Sequence, residues 1–138
     1  MPKRIIAALV FGTLAMQAPA SVAQNAPDCS DPQSQSAMTI CAERSWRAAD
    51  AELNEAYKIA MAKLRKHDSQ LPDNLKGGAD ALRDAQRSWI PYRDKACEAY
   101  GFQARGGTME PMLVYGCLAR LTRERVADLR DLAGGDGN

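Results

Sequence analysis

Gln86-Arg87-Ser88-Trp89-Ile90-Pro91-Tyr92-Arg93-Asp94-Lys95-Ala96-Cys97 is the stretch that decides the fold. Trp89, Arg93 and Cys97 recur at helical spacing and therefore share one face of a helix. A large ring, a cation and a sulfur on one stripe predict a core seam that ends in a disulfide. Pro91 has no N–H to donate and crowds the carbonyl four residues back, so a kink is expected there.

On either side of this helix the apolar positions again recur in steps of three and four. Upstream, Trp46, Ala49, Leu53, Tyr57, Ala60 and Leu64 predict an amphipathic helix from about Ala37 to His67. Its other face carries Glu43, Arg44, Arg47, Glu52, Glu55, Lys58 and Lys63. The last turn is basic, as the negative end of the helix dipole favours. After a link containing Pro72 and Gly77-Gly78, the second helix starts either at Asp73 or beyond the glycine pair. Its apolar stripe reads Leu82, Ala85, Trp89, Tyr92 and Ala96, and Gly101 is the expected terminator. Downstream, Thr108 is the expected N-cap of a third helix, with Glu110 and Pro111 in its first turn. That helix runs to about Leu132 and buries Val114, Leu118, Leu121 and Leu129. No stretch alternates with period two, so the expected class is all-α, an antiparallel three-helix bundle.

Met1-Pro2-Lys3-Arg4, a short apolar run and Ser21-Val22-Ala23 together form a signal peptide, with cleavage expected after Ala23. The apolar run is too short for a membrane span, which takes about 20 residues. Gln24, not cysteine, follows the cleavage point, so no lipid anchor is expected. The organisation is therefore a signal peptide at 1–23, one helical domain at 24–133 and a glycine-rich tail at 134–138. Cleavage removes two of the 18 basic residues and none of the 17 acidic ones, leaving the mature chain one charge negative. That balance gives no footing for nucleic acid or an anionic membrane. A periplasmic or secreted location follows.

Cys29, Cys41, Cys97 and Cys117 all lie in the mature part, an even number that points to two disulfides. No Cys-x-x-Cys pair or Cys/His cluster exists, so neither a metal nor another cofactor is expected. Sequential pairing, Cys29–Cys41 with Cys97–Cys117, is preferred. Cys41–Cys97 with Cys29–Cys117 is also geometrically allowed. The one histidine, His67, stands among cations at a helix end, away from any nucleophile, so no catalytic residue is assigned.

Three groups of residues make an ordered pattern. They are Cys41 followed by Ala49-Asp50-Ala51-Glu52-Leu53-Asn54-Glu55-Ala56-Tyr57; Ala85-Gln86-Arg87-Ser88-Trp89 with Arg93-Asp94 and Cys97; and Gly106-Gly107-Thr108 with Cys117, Thr122 and Arg125. In this order they resemble the LprI-type lysozyme-inhibitor family of small exported four-cysteine helical domains. The resemblance implies a protein that is no enzyme and whose partner is lysozyme. A non-inhibitory periplasmic binding module, a chaperone or adaptor, is the alternative. Asp50, Asn54 and Arg93 read as structural: an Asp50–Arg93 bridge sets the register of the first hairpin, and Asn54 bonds nearby backbone. Trp46 and Trp89 read as core rings. Lysozyme works with two carboxyl groups in a groove. The expected contact is therefore the loop presenting Arg105, Gly106, Gly107 and Thr108, held at its base by Cys97–Cys117. The plainer reading of that loop is a turn and a helix cap.

Overall fold

The computed structural model describes residues 26–134. The expected signal peptide and nearly all of the tail lie outside them. Among the described residues there are three long helices and no strand: α1 (Gln35–Ser69), α2 (Gly78–Gly101) and α3 (Glu110–Leu132). Single 3₁₀ turns at Asp73–Leu75 and Phe102–Ala104 occupy the two links.

Ser34 starts α1, its hydroxyl accepting from the Ala37 N–H at 3.1 Å, so one of the unpaired first-turn donors is satisfied. Of the two starting points considered for α2, the structure separates a turn at Asp73 from a helix that begins at Gly78. Gly77, at φ +134°, makes the corner, a conformation side chains other than glycine rarely adopt. Pro91 does not break α2, which continues on both sides of it. The ring lies on the exposed side together with Arg87, whose carbonyl loses its helical partner to the proline.

Helix directions follow from which residues meet. Gln35 reaches Met112, Ser45 reaches Arg123 and Glu52 reaches Arg130, a nearly constant offset that makes α1 and α3 parallel. Asp50 meets Arg93 and Asp68 meets Ala79, so α1 and α2 are antiparallel. Cys97 meets Cys117 and Gln86 meets Arg125, so α2 and α3 are antiparallel as well. The result is an up-down-up bundle.

The pairing of cysteines is sequential. Cys29–Cys41 ties the irregular lead-in to α1, and Cys97–Cys117 clamps α2 to α3 across the second link. A disulfide closing a loop of this order contributes about 3 kcal/mol.

The core is in two parts. Leu53, Ala56, Ala60, Met61, Leu82, Val126 and Leu129 form one cluster, with Trp89 and Tyr57 packed at its edge. Cys97, Cys117 and Leu118 form the other, with Trp46, Val114, Tyr115 and Leu121 against it. Trp46 stacks on Tyr115 with centroids 5.7 Å apart, and its Nε1 is buried without a hydrogen-bond partner.

The buried stripe of α2 differs from the expected one. Ala85 and Tyr92 are exposed, while Leu82, Gln86, Arg93 and Cys97 are buried. Leu82 and the face of Trp89, Arg93 and Cys97 stand as expected; the departure is Gln86 in place of Ala85 and Arg93 in place of Tyr92. Gly101 does not end the helix through a left-handed turn. It has φ −62°, and a β-carbon there would come within 2.5 Å of Val114 Cγ2. Its role is to let the end of α2 approach α3. Thr108 is not the cap of α3 either: Met109 holds that position and makes no side-chain cap.

Candidate functional site: a polar layer and a pinned loop

On every helix the two apolar clusters are separated by a polar residue. Asp50 lies between Trp46 and Leu53, Arg93 between Trp89 and Cys97, and Thr122 between Leu118 and Val126. The three meet. Arg93 Nη1 donates to Asp50 Oδ1 at 3.0 Å and to Thr122 Oγ1 at 3.2 Å, and Nε donates to Asp94 Oδ1 at 2.9 Å. The Arg93 side chain is only 7 % exposed, against 40 % for Asp50 and 53 % for Asp94. Its guanidinium also lies over the Trp89 ring, 5.1 Å from the centroid. A buried cation held by two carboxylates, a hydroxyl and a ring has one good position, which ties the register of all three helices together.

Beside this layer, Gln86 Oε1 accepts from Arg125 Nε at 3.1 Å, and Arg125 Nη1 stands 3.7 Å from Asp128. Neither Gln86 nor Thr122 was singled out as a core residue from sequence, because polar residues at apolar-stripe positions look like outward-facing ones. The signal present was the i, i+7 repeat of Gln86 and Arg93 in phase with Cys97. Asn54 is exposed one turn beyond Asp50, and its side chain makes no hydrogen bond among the described residues. The expected Asn54 bond to backbone is therefore absent. Asp50, Asn54, Gln86, Arg83, Arg87 and Arg93 line a cleft of about 540 Å³ between α1 and α2, whose apolar walls are Leu53, Tyr57 and Ile90.

The loop at the far end of α2 carries Arg105, Gly106, Gly107 and Thr108. Gly106 has φ +77°, and the Gly107 N–H donates to Ala104 O at 2.8 Å. Glu110 pins the loop from the first turn of α3. Its Oε2 accepts from the Gly106 N–H at 2.8 Å, and its Oε1 lies 2.7 Å from Arg105 Nη1. The Gly106 N–H bond first, and then Arg105, hold the Glu110 carboxyl below the usual range. Arg105 also covers the Phe102 ring at 4.5 Å while its side chain stays 63 % exposed. Phe102 and Met109 are exposed beside it. The loop and the polar layer are thus two separate places, joined through α2 and α3 by way of the Cys97–Cys117 end of the bundle.

Among the described residues no group of three His, Cys, Asp or Glu side chains converges as a metal site would require. No described helix is long and apolar enough to cross a membrane.

Fold and site together define a disulfide-stapled three-helix domain whose buried polar groups link all three helices and whose loop is braced by its own carboxylate. The chain belongs to the LprI family, described as "Lysozyme inhibitor LprI", which matches residues 28–129. It is also 51 % identical over 122 residues to an uncharacterized protein of Rhizobium meliloti (strain 1021), covering 86 % of this chain and 88 % of that one. No solved structure matches it significantly. The family is one of inhibitors, and the two disulfides suit an oxidising compartment.

Proposed function

We propose that the mature protein inhibits a lysozyme by stoichiometric blocking of its peptidoglycan-binding cleft, with no chemistry of its own. Membership of the inhibitor family is the observation that carries this reading. The loop of Arg105, Gly106, Gly107 and Thr108 is the contact, and its geometry supports that role. Cys97–Cys117 closes its base, Glu110 braces its middle, and the Arg105 guanidinium is mostly exposed. A loop ordered before binding loses less conformational freedom on docking. A cation and a hydroxyl at its tip complement the two carboxyl groups of a lysozyme groove.

The test is lysis of cell walls by purified lysozyme with increasing mature protein. Inhibition that saturates near one inhibitor per enzyme is expected; unchanged lysis at excess inhibitor overturns the proposal. Arg105→Ala with Thr108→Ala should abolish inhibition while the helical circular dichroism stays unchanged. Alanine is preferred to glutamate at 105, since a second carboxylate beside Glu110 would open the loop for an unrelated reason. If that double variant inhibits fully, the contact lies on the helix faces.

A further inference from the structure

The cleft between α1 and α2 is not used by the loop and carries hydrogen-bond donors that the fold leaves over. Arg93 spends Nε and Nη1 on Asp94, Asp50 and Thr122, and its Nη2 has no protein acceptor. Gln86 spends Oε1 on Arg125, which fixes the amide orientation, and its Nε2 has no acceptor. Both residues are more than nine-tenths buried, yet neither nitrogen is a fully enclosed orphan; among the described residues that is Trp46 Nε1. Both therefore retain access to solvent, and the residues that own them line the cleft. Arg87, on the same wall, forms no ion pair among the described residues, and Asn54 opposite makes no hydrogen bond.

We propose that this cleft binds a carboxylate. Two spare NH2 groups on rigidly held, buried side chains suit a group that only accepts and has two oxygens in one plane. Arg87 supplies the uncompensated charge at the mouth. Asp50 and Asp94 outnumber Arg93, and Asp80 and Asp84 outnumber Arg83, so even with Arg87 these groups sum to one negative charge, and the site draws on its spare hydrogen-bond donors rather than on a positive field. A singly charged carboxylate is favoured over a phosphate dianion on that account. Leu53, Tyr57 and Ile90 give the body of the ligand an apolar wall, and the volume suits a group the size of one or two amino acids. The carboxylate can belong to a small free acid or to a polypeptide. This site is independent of the loop reading, since it lies on another part of the molecule.

The experiment is a titration of ¹⁵N-labelled mature protein, following the Gln86 side-chain amide and the Arg93 Nε–H resonances. One arm adds N-acetylleucine, and a second adds a short peptide with blocked ends and a single glutamate; sodium chloride at equal ionic strength is the control. Saturable shifts of both resonances in either acid arm, absent with chloride, are expected. Shifts with N-acetylleucine identify a small acid as sufficient, and shifts only with the peptide place the carboxylate on a polypeptide. Arg87→Ala, at an exposed position that leaves the fold intact, should weaken binding about fivefold to tenfold, the scale of one charge-assisted hydrogen bond near a surface. Arg87→Lys should recover part of that loss. No shift in either acid arm, or Arg87→Ala binding as tightly as wild type, overturns the proposal.

Discussion

Asp68, the last residue but one of α1, caps the start of α2 through Ala79. Its Oδ2 accepts from the Ala79 N–H at 2.9 Å, and Oδ1 accepts from Gly78 and Gly77 at 3.1 and 3.3 Å. One carboxylate thus satisfies several first-turn donors of another helix and sits at the positive end of its dipole. The Ala79 bond is the main reason its carboxyl is held below the ordinary range, with Gly78, Gly77 and nearby His67 adding to it.

Acid should therefore weaken the fold through Asp68 and Glu110. Both carboxyls are depressed in the folded protein, so the stability they contribute is present above the unfolded value and lost as pH falls through the folded one. The denaturation midpoint should be level near neutrality and drop below about pH 4, where unperturbed carboxyls titrate. Asp68→Asn with Glu110→Gln should lower the midpoint at pH 7 and flatten the acid limb. Urea melts across the pH range check this; an unchanged acid limb in the double variant would falsify it.

Asp50→Ala should cost about 1 kcal/mol, since Arg93 keeps Asp94 and Thr122 when Asp50 is gone. Arg93→Ala removes the centre of the layer and should cost about 3 kcal/mol or more. Combined, the two should cost less than their sum, because either one alone already breaks the pair. A double-mutant cycle by chemical denaturation measures the coupling, and strict additivity would mean the pair contributes nothing.

Gly101→Ala should destabilise by about 1–3 kcal/mol, the range for overpacking a tight contact. The added methyl meets Val114 Cγ2, so Gly101→Ala with Val114→Ala should recover part of the loss. A helix-terminating role would predict no such rescue. Thermal melts of the single and double variants distinguish the two.

The disulfides should open in order under a dithiol reductant. Cys29 is exposed, and Arg44 Nη1 lies 3.3 Å from its sulfur, where a cation stabilises a departing thiolate. Cys97 is fully buried and Cys117 nearly so. Alkylation after a graded reduction should mark Cys29 and Cys41 first, and Arg44→Ala should slow that step. Equal labelling of all four sulfurs would contradict the ordering.

Much of this was legible in the sequence because helical period and cysteine position are local signals. The stripe from Trp46 to Leu64 on α1 placed that helix within two residues at either end. Trp89, Arg93 and Cys97 gave the face of α2. What failed was the attempt to extend that face with apolar residues alone. Ala85 and Tyr92 looked better than Gln86, yet the buried positions are Gln86 and Arg93, whose partners Arg125, Asp50 and Thr122 lie far along the chain. A residue satisfied by distant partners gives no sign of it in its own neighbourhood. Helix α2 does end at Gly101 as expected, but the close approach to Val114 that calls for glycine there is a fact about two helices and leaves no local sign. Thr108 failed because Glu110 took over the bracing of the loop from inside α3.

The Cys97–Cys117 bond joins residues 20 apart on either side of the Arg105–Thr108 tip, so α2, loop and α3 form a covalent macrocycle. A protease that cuts at the tip opens the ring without dividing the molecule. Cleaved protein should run as one band in non-reducing electrophoresis and as two after reduction. The bundle thereby tolerates having an exposed segment severed, since the covalent ring still holds α2 to α3.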